Sequence, residues 1–354
     1  MQLMIDKADI RQTRIAPQPE RSLQEGEVRV ALRRCALTAN NVTYAAAGEM
    51  LKYWAFFPSG SEGHGLVPVW GTADVIESRT AALAEGTRLY GFWPLAETCV
   101  LMPEEDASGM MVDRAPHRAD LPAVYNRYAV VQPAAQRDED LRSLLQPLLA
   151  TSWLITDFLD DNGFFGAEQV IVGSASSKTG LGLCKFLSQL DGHPVRVVGL
   201  TGASNRYYVE KSGACDAIFT YDQVADLSRA PSVFVDMAGN AAVRSALHSH
   251  LGDALKHSAA VGTSHWDKFR PDLKLDGPRP QFFFAPAQIA KRREDWGPGV
   301  VEKRITQAWK GLAADADGWL EITAHQGLAA AQDVYELIAT GQSDARLGHV
   351  IAFD

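Results

Sequence analysis

Through the first hundred residues, short apolar runs alternate with turn residues. Val28–Leu32, Gly65–Ile76 and Glu85–Phe92 read as strands, and spacing of this kind predicts a compact β domain, not an array of strand–helix–strand units. Glu104–Asp120 is polar and without periodicity, which predicts a surface loop. Helical spacing begins at Leu141: Leu144, Leu145, Leu148, Leu149, Leu154, Ile155 and Phe158 predict a helix to Asp160, with Pro147 as a break or a first turn in it.

Beyond that helix the pattern changes. Val170–Val172, Pro194–Leu200, Ala217–Thr220, Ser232–Asp236 and His257–Gly262 are short apolar runs suited to buried parallel strands. Helical segments lie between them from Thr179, over Ser204–Ser212 with Gly213 as its C-terminal stop, and around Ala241–Leu251. This alternation predicts a doubly wound parallel sheet. Lys268–Pro286 is proline-rich and contains Phe282-Phe283-Phe284. Ile289–Leu312 reads as helix broken at Trp296–Gly299, and Trp319–Thr323 and Gly348–Phe353 as strands around a helix over Ala329–Thr340.

The stretch Gln169–Gly182, QVIVGSASSKTGLG, organises the second half. Its apolar β-branched run, small-residue turn and helix start match the first strand–turn–helix of a dinucleotide-binding unit. There the free N–H groups and positive end of the helix face a pyrophosphate, and small side chains let the backbone approach it. The motif is degenerate: Ser174 and Ser177 stand with Gly180 where three small residues are expected, and an ordinary strand–turn–helix is the competing reading. The strand Pro194–Leu200, at the separation of a crossover connection, favours the nucleotide reading, with Ser174, Ser177, Lys178, Thr179 and Gly180 in the turn.

At 354 residues the chain suits two domains. A net charge of −9 with no basic stripe argues against nucleic acid as partner. The charged N-terminus lacks the apolar core of a signal peptide and no apolar run reaches membrane-spanning length, so a soluble cytoplasmic protein without a membrane partner is expected. Cys35, Cys99, Cys184 and Cys215 are scattered without C-x-x-C spacing, which speaks against structural zinc and a disulfide framework and reads as buried small hydrophobes.

The order of parts resembles the medium-chain dehydrogenase/reductase superfamily, nearer its zinc-free quinone and enoyl reductases. The carriers are Glu27-Val28-Arg29-Val30, Asn40-Asn41-Val42-Thr43-Tyr44, Gly86-Thr87-Arg88-Leu89-Tyr90-Gly91, the Ser174–Gly180 turn, Lys211-Ser212-Gly213-Ala214, Asp236-Met237-Ala238-Gly239 and Val261-Gly262. Phe282–Pro286 with Lys291-Arg292-Arg293 and Asp295-Trp296-Gly297 looks like an uncharacterised branch of it. The resemblance implies an α/β fold: a GroES-like β domain over residues 1–135, completed by 286–354, and a Rossmann doubly wound parallel sheet over 136–285. Zinc members place a cysteine early in the Asn-Asn-Val-Thr region and a Gly-His-Glu before the next glycine strand. Here Thr38 and Asn40-Asn41 take the first place and His64 lies too far ahead of Gly71, so no metal is expected.

The strand ending at Leu200 is followed by Thr201-Gly202-Ala203-Ser204-Asn205-Arg206, without the acid that would bond an NAD ribose. NADPH is therefore the expected cofactor. Thr201 and Ser204 would hydrogen-bond its 2′-phosphate and Arg206 would pair with it, with Lys211 nearby; a solvated helix face is the other reading of both cations. By the resemblance Tyr221 would lie near that phosphate; Gly262, Thr263 and Ser264, after the last strand, are expected near the nicotinamide because ligands lie beyond the carboxyl ends of parallel strands. The resemblance also makes Tyr53, Tyr44 and Asn41 the candidate catalytic residues, the tyrosines as un-ionised proton donors. The other reading makes them tyrosines packed at the domain interface with satisfied hydroxyls. His64 reads as a mobile donor or an exposed loop histidine, and Phe282–Phe284 as core, dimer interface or substrate wall. The implied activity is zinc-independent, NADPH-dependent reduction of a small or medium apolar carbonyl or α,β-unsaturated compound, in a possible homodimer. A lyase or hydrolase on the same fold and a nucleotide-binding protein without turnover are the alternatives.

Overall fold

The structure, a computed structural model, describes residues 1–263 and 274–353. The chain divides by its internal contacts into two compact units, residues 1–144 with 321–354, and 145–320.

The first unit opens with β1 (Gln2–Asp6), β2 (Thr13–Ala16) and β3 (Val28–Leu37), then α1 (Ala39–Ala46). β4 (His64–Leu66), β5 (Pro68–Ser78), β6 (Arg88–Pro94), β7 (Thr98–Leu101), β8 (Pro103–Glu105), β9 (Met111–Asp113) and β10 (Arg127–Val130) follow, and α2 (Gln136–Asp161) crosses the unit boundary. In β3 Val28, Val30 and Leu32 point inward between half-buried neighbours, as a strand covered on one face requires. Arg34 breaks that rule: it is buried because its guanidinium meets Asp140 of α2 through two hydrogen bonds of 2.7 and 3.0 Å.

Two expectations fail in the segment up to the end of α2. The polar stretch Glu104–Asp120 is not a plain surface loop, because β8 and β9 pair antiparallel across it and Arg118 beyond them is only 1% exposed. Nor does Pro147 end or start a helix. α2 runs through it, with the hydroxyls of Ser143, Thr151 and Ser152 donating to carbonyls one turn back at 2.8, 3.0 and 3.0 Å. The proline removes one N–H without closing the segment.

The second unit is the doubly wound sheet. It contains β11 (Gln169–Gly173), α3 (Lys178–Ser188), β12 (Arg196–Thr201), α4 (Arg206–Lys211), β13 (Ala217–Thr220), β14 (Ser232–Asp236), α5 (Ala241–Leu251), β15 (Leu255–Ala260), β16 (Gln281–Phe282), α6 (Ala285–Trp296) and α7 (Val300–Ala314). The strand order is β13-β12-β11-β14-β15-β16, every pair parallel. β11 is buried at all five residues, the signature of a central parallel strand. α4 stops at Gly213, whose φ of +63° is the left-handed conformation that glycine adopts freely. α6 and α7 are separated at Gly297 and Gly299, as the sequence predicts.

Residues 286–320, expected to return to the first domain, instead remain with the second unit. α6 is tied to α2 by Arg292, which meets Asp157 at 2.7 Å and Asp161 at 3.0 Å, and by Gln288, which donates to Asp157 at 2.7 Å. The chain rejoins the first unit only at β17 (Glu321–Gln326), α8 (Gly327–Ala339) and β18 (Leu347–Ala352). β18 lies parallel to β17 and antiparallel to β3, with His349 opposite Leu37 and Ala352 opposite Arg34.

Candidate active site

In the second unit the strand order reverses direction between β11 and β14, and the crevice beyond the carboxyl ends of such strands is where doubly wound sheets bind ligands. The turn leaving β11 begins with Ser174, whose φ of +54° lies in the left-handed region that favours glycine. That strain explains why the sequence pattern expects glycine here, and the turn's own hydrogen bonds hold it. The Ser174 carbonyl accepts from the Ser177 N–H at 2.9 Å and from its hydroxyl at 2.8 Å, and the Tyr221 hydroxyl also bonds to Ser174. Burial raises the Tyr221 phenol above its usual value, against the pull of the Ser174 hydrogen bond.

Ser177 is the N-cap of α3: its oxygen accepts from the Gly180 N–H at 3.1 Å, leaving Lys178 and Thr179 at the start of the helix. Gly180 is fixed by lack of room. A Cβ there would stand 2.4 Å from the Ser174 carbonyl oxygen and 3.1 Å from Ala175 Cα, both backbone atoms.

β12 ends without an acid, as read from the sequence. Thr201, however, cannot act as the expected 2′-phosphate ligand. It is 0% exposed and its hydroxyl donates to Ser176 at 3.0 Å, so it supports the turn from inside. Ser204 is exposed at the start of the following segment. Arg206 is about half exposed and reaches Glu210 at 2.7 Å and Gln223 at 3.1 Å. The same Gln223 oxygen accepts from the Thr220 N–H, so Arg206 is held beside the end of β13 and not loose on a helix face. Lys211 is exposed. Gly262 and Thr263 follow β15; Ser264 lies outside the described residues. Asp236, which the sequence reading gives as a strand end and as part of the family resemblance, builds the turn after β14: one oxygen accepts from Ala238 and Gly239 N–H, and the other takes two hydrogen bonds from buried Arg244.

In the first unit the three catalytic candidates fall in one neighbourhood and differ in availability. Asn41 is committed to structure. Its side-chain oxygen accepts from the Thr38 N–H at 2.7 Å in a capping box, and its amide donates to the Pro68 carbonyl at 2.8 Å. Its place among the catalytic residues is therefore corrected to that of a brace between α1 and β5. Tyr44 is buried, with its hydroxyl accepting from Trp70 Nε1 at 3.1 Å, and its ring packs on Tyr53 and Phe92. Tyr53 is buried too, but its hydroxyl meets another hydroxyl, that of Tyr125, at 3.0 Å. Tyr125 is partly exposed. Burial raises all three phenols, so they stay protonated far above neutral pH.

Sequence reasoning does not reach Tyr125 or the residue that holds it. Arg118, flanked by the rings of Phe56 and Phe57, donates to Asp113 at 2.6 Å, to the Tyr128 hydroxyl at 2.9 Å and to the Tyr125 carbonyl at 3.0 Å. His64 begins β4 and accepts at Nε2 from Arg14 at 3.2 Å, which places its Nδ1 proton toward the Glu62 carbonyl. Among the described residues no three His, Cys, Asp or Glu side chains converge as a metal ion would need, and no helix is long and apolar enough to cross a membrane.

A family model described as "Protein of unknown function (DUF2855)" matches residues 35–344. No curated protein matches the chain in sequence. Among solved structures the chain is similar to CurA from Vibrio vulnificus in complex with NADPH, at 12% identity and a TM-score of 0.60 over 100% of this chain and 99% of that one. It is also similar to the yhdH oxidoreductase from Salmonella enterica in complex with NADP, at 16% identity and 0.54, over 97% and 96%. A third is a mutant enoyl thioester reductase from Candida tropicalis, at 10% and 0.56, over 99% and 100%. At these identities the likeness establishes the fold: a GroES-like domain with a Rossmann domain, as the sequence reading expects.

Proposed function

The chain belongs to the DUF2855 family, and from that premise and its fold we propose that it is an NADPH-dependent, zinc-independent oxidoreductase acting on a small or medium apolar carbonyl or α,β-unsaturated compound. The observation that carries the reading is the turn from Ser174 to Gly180, whose left-handed first residue, capped helix start and glycine against backbone form the shape into which a pyrophosphate fits. NADPH or NADP in two of the similar structures supports the choice of cofactor. The residues present fit that group: Ser177, Lys178 and Thr179 would hold the pyrophosphate, Ser204 and Arg206 the 2′-phosphate, with Tyr221 bracing the turn and Gly262 and Thr263 toward the nicotinamide. When bound, NADPH supplies a hydride.

The chain's own contribution to chemistry is a proton. The Tyr53–Tyr125 hydroxyl pair is the candidate donor, because the two hydroxyls meet at 3.0 Å and one phenol can pass a proton on to the other. Phenols kept protonated by burial make donation insensitive to pH through neutrality. Tyr53→Phe is expected to lower kcat/KM for NADPH oxidation with small enones or quinones roughly 100-fold, with nucleotide affinity unchanged. Unaltered turnover would remove Tyr53 from the chemistry.

NADPH is expected to bind more tightly than NADH, and Arg206→Ala to erase most of the difference, a loss of about 1.5–3 kcal/mol for one charge-assisted contact. Calorimetric titration of both proteins with both nucleotides tests this. Equal wild-type affinities would defeat the assignment of Arg206, and no binding of either nucleotide would turn the reading toward a non-redox enzyme.

A further inference from the structure

In the C-terminal part of the first unit a serine and two histidines form a line of hydrogen bonds. β17 and β18 run parallel with Thr323 opposite His349 and His325 opposite Ile351, so alternation along each strand puts both imidazoles on one face as diagonal neighbours. Their ring centroids are 5.2 Å apart, and His325 Nε2 meets His349 Nδ1 at 3.1 Å. The other ring nitrogen of His349, Nε2, meets the Ser343 hydroxyl at 2.9 Å. His349 is buried on β18, which is flanked by β17 and β3, whereas His325 and Ser343 are half-buried. The loop that carries Ser343 is fixed at both ends. α8 closes at Gly341, whose φ is +71°, with the Gly341 N–H on the Ile338 carbonyl and the Gln342 N–H on the Leu337 carbonyl, each at 3.0 Å. Beyond the serine, the Leu347 N–H returns to the Asp344 carbonyl at 3.1 Å.

We propose that Ser343, His349 and His325 form a nucleophilic relay that takes the acyl group of small phenyl esters and passes it to water. The order of contacts carries the inference. A hydroxyl on Nε2, with Nδ1 held by a third group, is the arrangement that activates a serine. With the Ser343 hydroxyl donating to Nε2, the proton of neutral His349 lies on Nδ1 and is donated to His325 Nε2. Ser343 Oγ attacks the ester carbonyl carbon, and its proton moves to His349 Nε2. The bond from that carbon to the leaving oxygen breaks, the leaving oxygen takes the proton and departs as a phenol, and an acyl-serine remains. Water then attacks the acyl carbon and gives a proton to His349 Nε2. The bond from the acyl carbon to Ser343 Oγ breaks, the proton returns to Ser343, and the carboxylic acid is released. His325 is a positioning residue, which holds the His349 ring and its tautomer. Gly341, Gln342 and Asp344 around the serine are exposed, which suits a small acyl group, and a phenol leaves with little assistance. The relay lies within the first unit and does not depend on the oxidoreductase reading.

The test treats the native protein, without nucleotide, with para-nitrophenyl acetate and separately with diisopropyl fluorophosphate, and reads nitrophenolate release and the modified peptide. The expected result is an acetyl or phosphoryl group on Ser343. Ser343→Ala is expected to lose that adduct, and His349→Phe to slow nitrophenolate release about 100-fold. His325→Gln, whose amide oxygen can accept where Nε2 does, is expected to keep most of the rate that His325→Leu loses, with KM unchanged in both. Because the adduct is mapped on wild type, misfolding of a variant leaves the test intact. Modification confined to lysines and tyrosines, with Ser343 untouched, would overturn the proposal. So would a folded Ser343→Ala protein that releases nitrophenolate at the wild-type rate.

Discussion

Gly180→Val is expected to abolish NADPH binding and to lower the melting temperature. The added Cβ alone would lie 2.4 Å from the Ser174 carbonyl oxygen and 3.0 Å from the Ser177 hydroxyl, and the first of these is backbone that already holds the turn. No rotamer change relieves that clash, so α3 must tilt away from β11 and the Ser177–Gly180 cap must open. Overpacking of this sort costs about 1–3 kcal/mol and more where backbone has to move. Gly182 offers a contrast, since a Cβ there would meet the far end of Leu149 and the Ser152 hydroxyl, which can shift. Gly182→Ala should therefore be the milder change. Differential scanning calorimetry and nucleotide titration separate the two effects. A soluble, folded Gly180→Val protein with wild-type affinity for NADPH would show that this turn does not hold the cofactor.

Arg118→Ala is expected to be the most destabilising single change in the first unit. Arg118 and Asp113 are each about 1% exposed at their side chains and lie 2.6 Å apart. Truncating the arginine strands the carboxylate without a counter-charge and takes a donor from the Tyr128 hydroxyl and the Tyr125 carbonyl. Breaking such a pair on one side costs about 3–5 kcal/mol, whereas exchanging both partners for apolar residues of similar volume is often neutral. Chemical denaturation of Arg118→Ala against Arg118→Met/Asp113→Leu measures this, with the double variant recovering much of the loss. Equal stability of Arg118→Ala and wild type would mean that the pair contributes nothing to the fold. Since Arg118 also sets the backbone of Tyr125, turnover should fall in the double variant even where stability returns.

The second unit is the more legible of the two in sequence because its central strands β11, β12 and β14 are buried on both faces. Runs such as Val170–Val172 and Ser232–Asp236 carry their own label, and the spacing of Ser174, Ser177 and Gly180 is enough to locate the turn. The aromatic and ionic centre of the first unit is illegible for the opposite reason. Asp113 and Arg118 are charged, and hydropathy assigns charge to the surface, but a charge that finds its counter-charge within hydrogen-bond reach can be buried. Nothing in the local pattern marks that pairing, so the stretch 104–120 reads as loop and Tyr125 beyond it carries no signal. Thr201 misleads by a neighbouring route. A hydroxyl at the end of a strand resembles a ligand, but this strand buries it against Ser176. Asn41, expected from the resemblance to be catalytic, closes a capping box instead, and an amide that does so has the same letter as one that faces a substrate.

The pairing of β18 with β3 has a consequence for the order in which the protein can be made. β3 leaves the ribosome long before its partner along His349–Ala352, with the whole second unit translated between them. The second unit, by contrast, draws its whole sheet from one continuous stretch. During synthesis the nested unit can close on itself while the Arg34–Leu37 half of one edge of β3 waits unpaired, its Val28–Ala31 half being already covered by β7, and the closure is late and entropically costly. The first unit is thereby completed after the second, and one half of an edge of β3 depends until then on a partner that has not yet been translated.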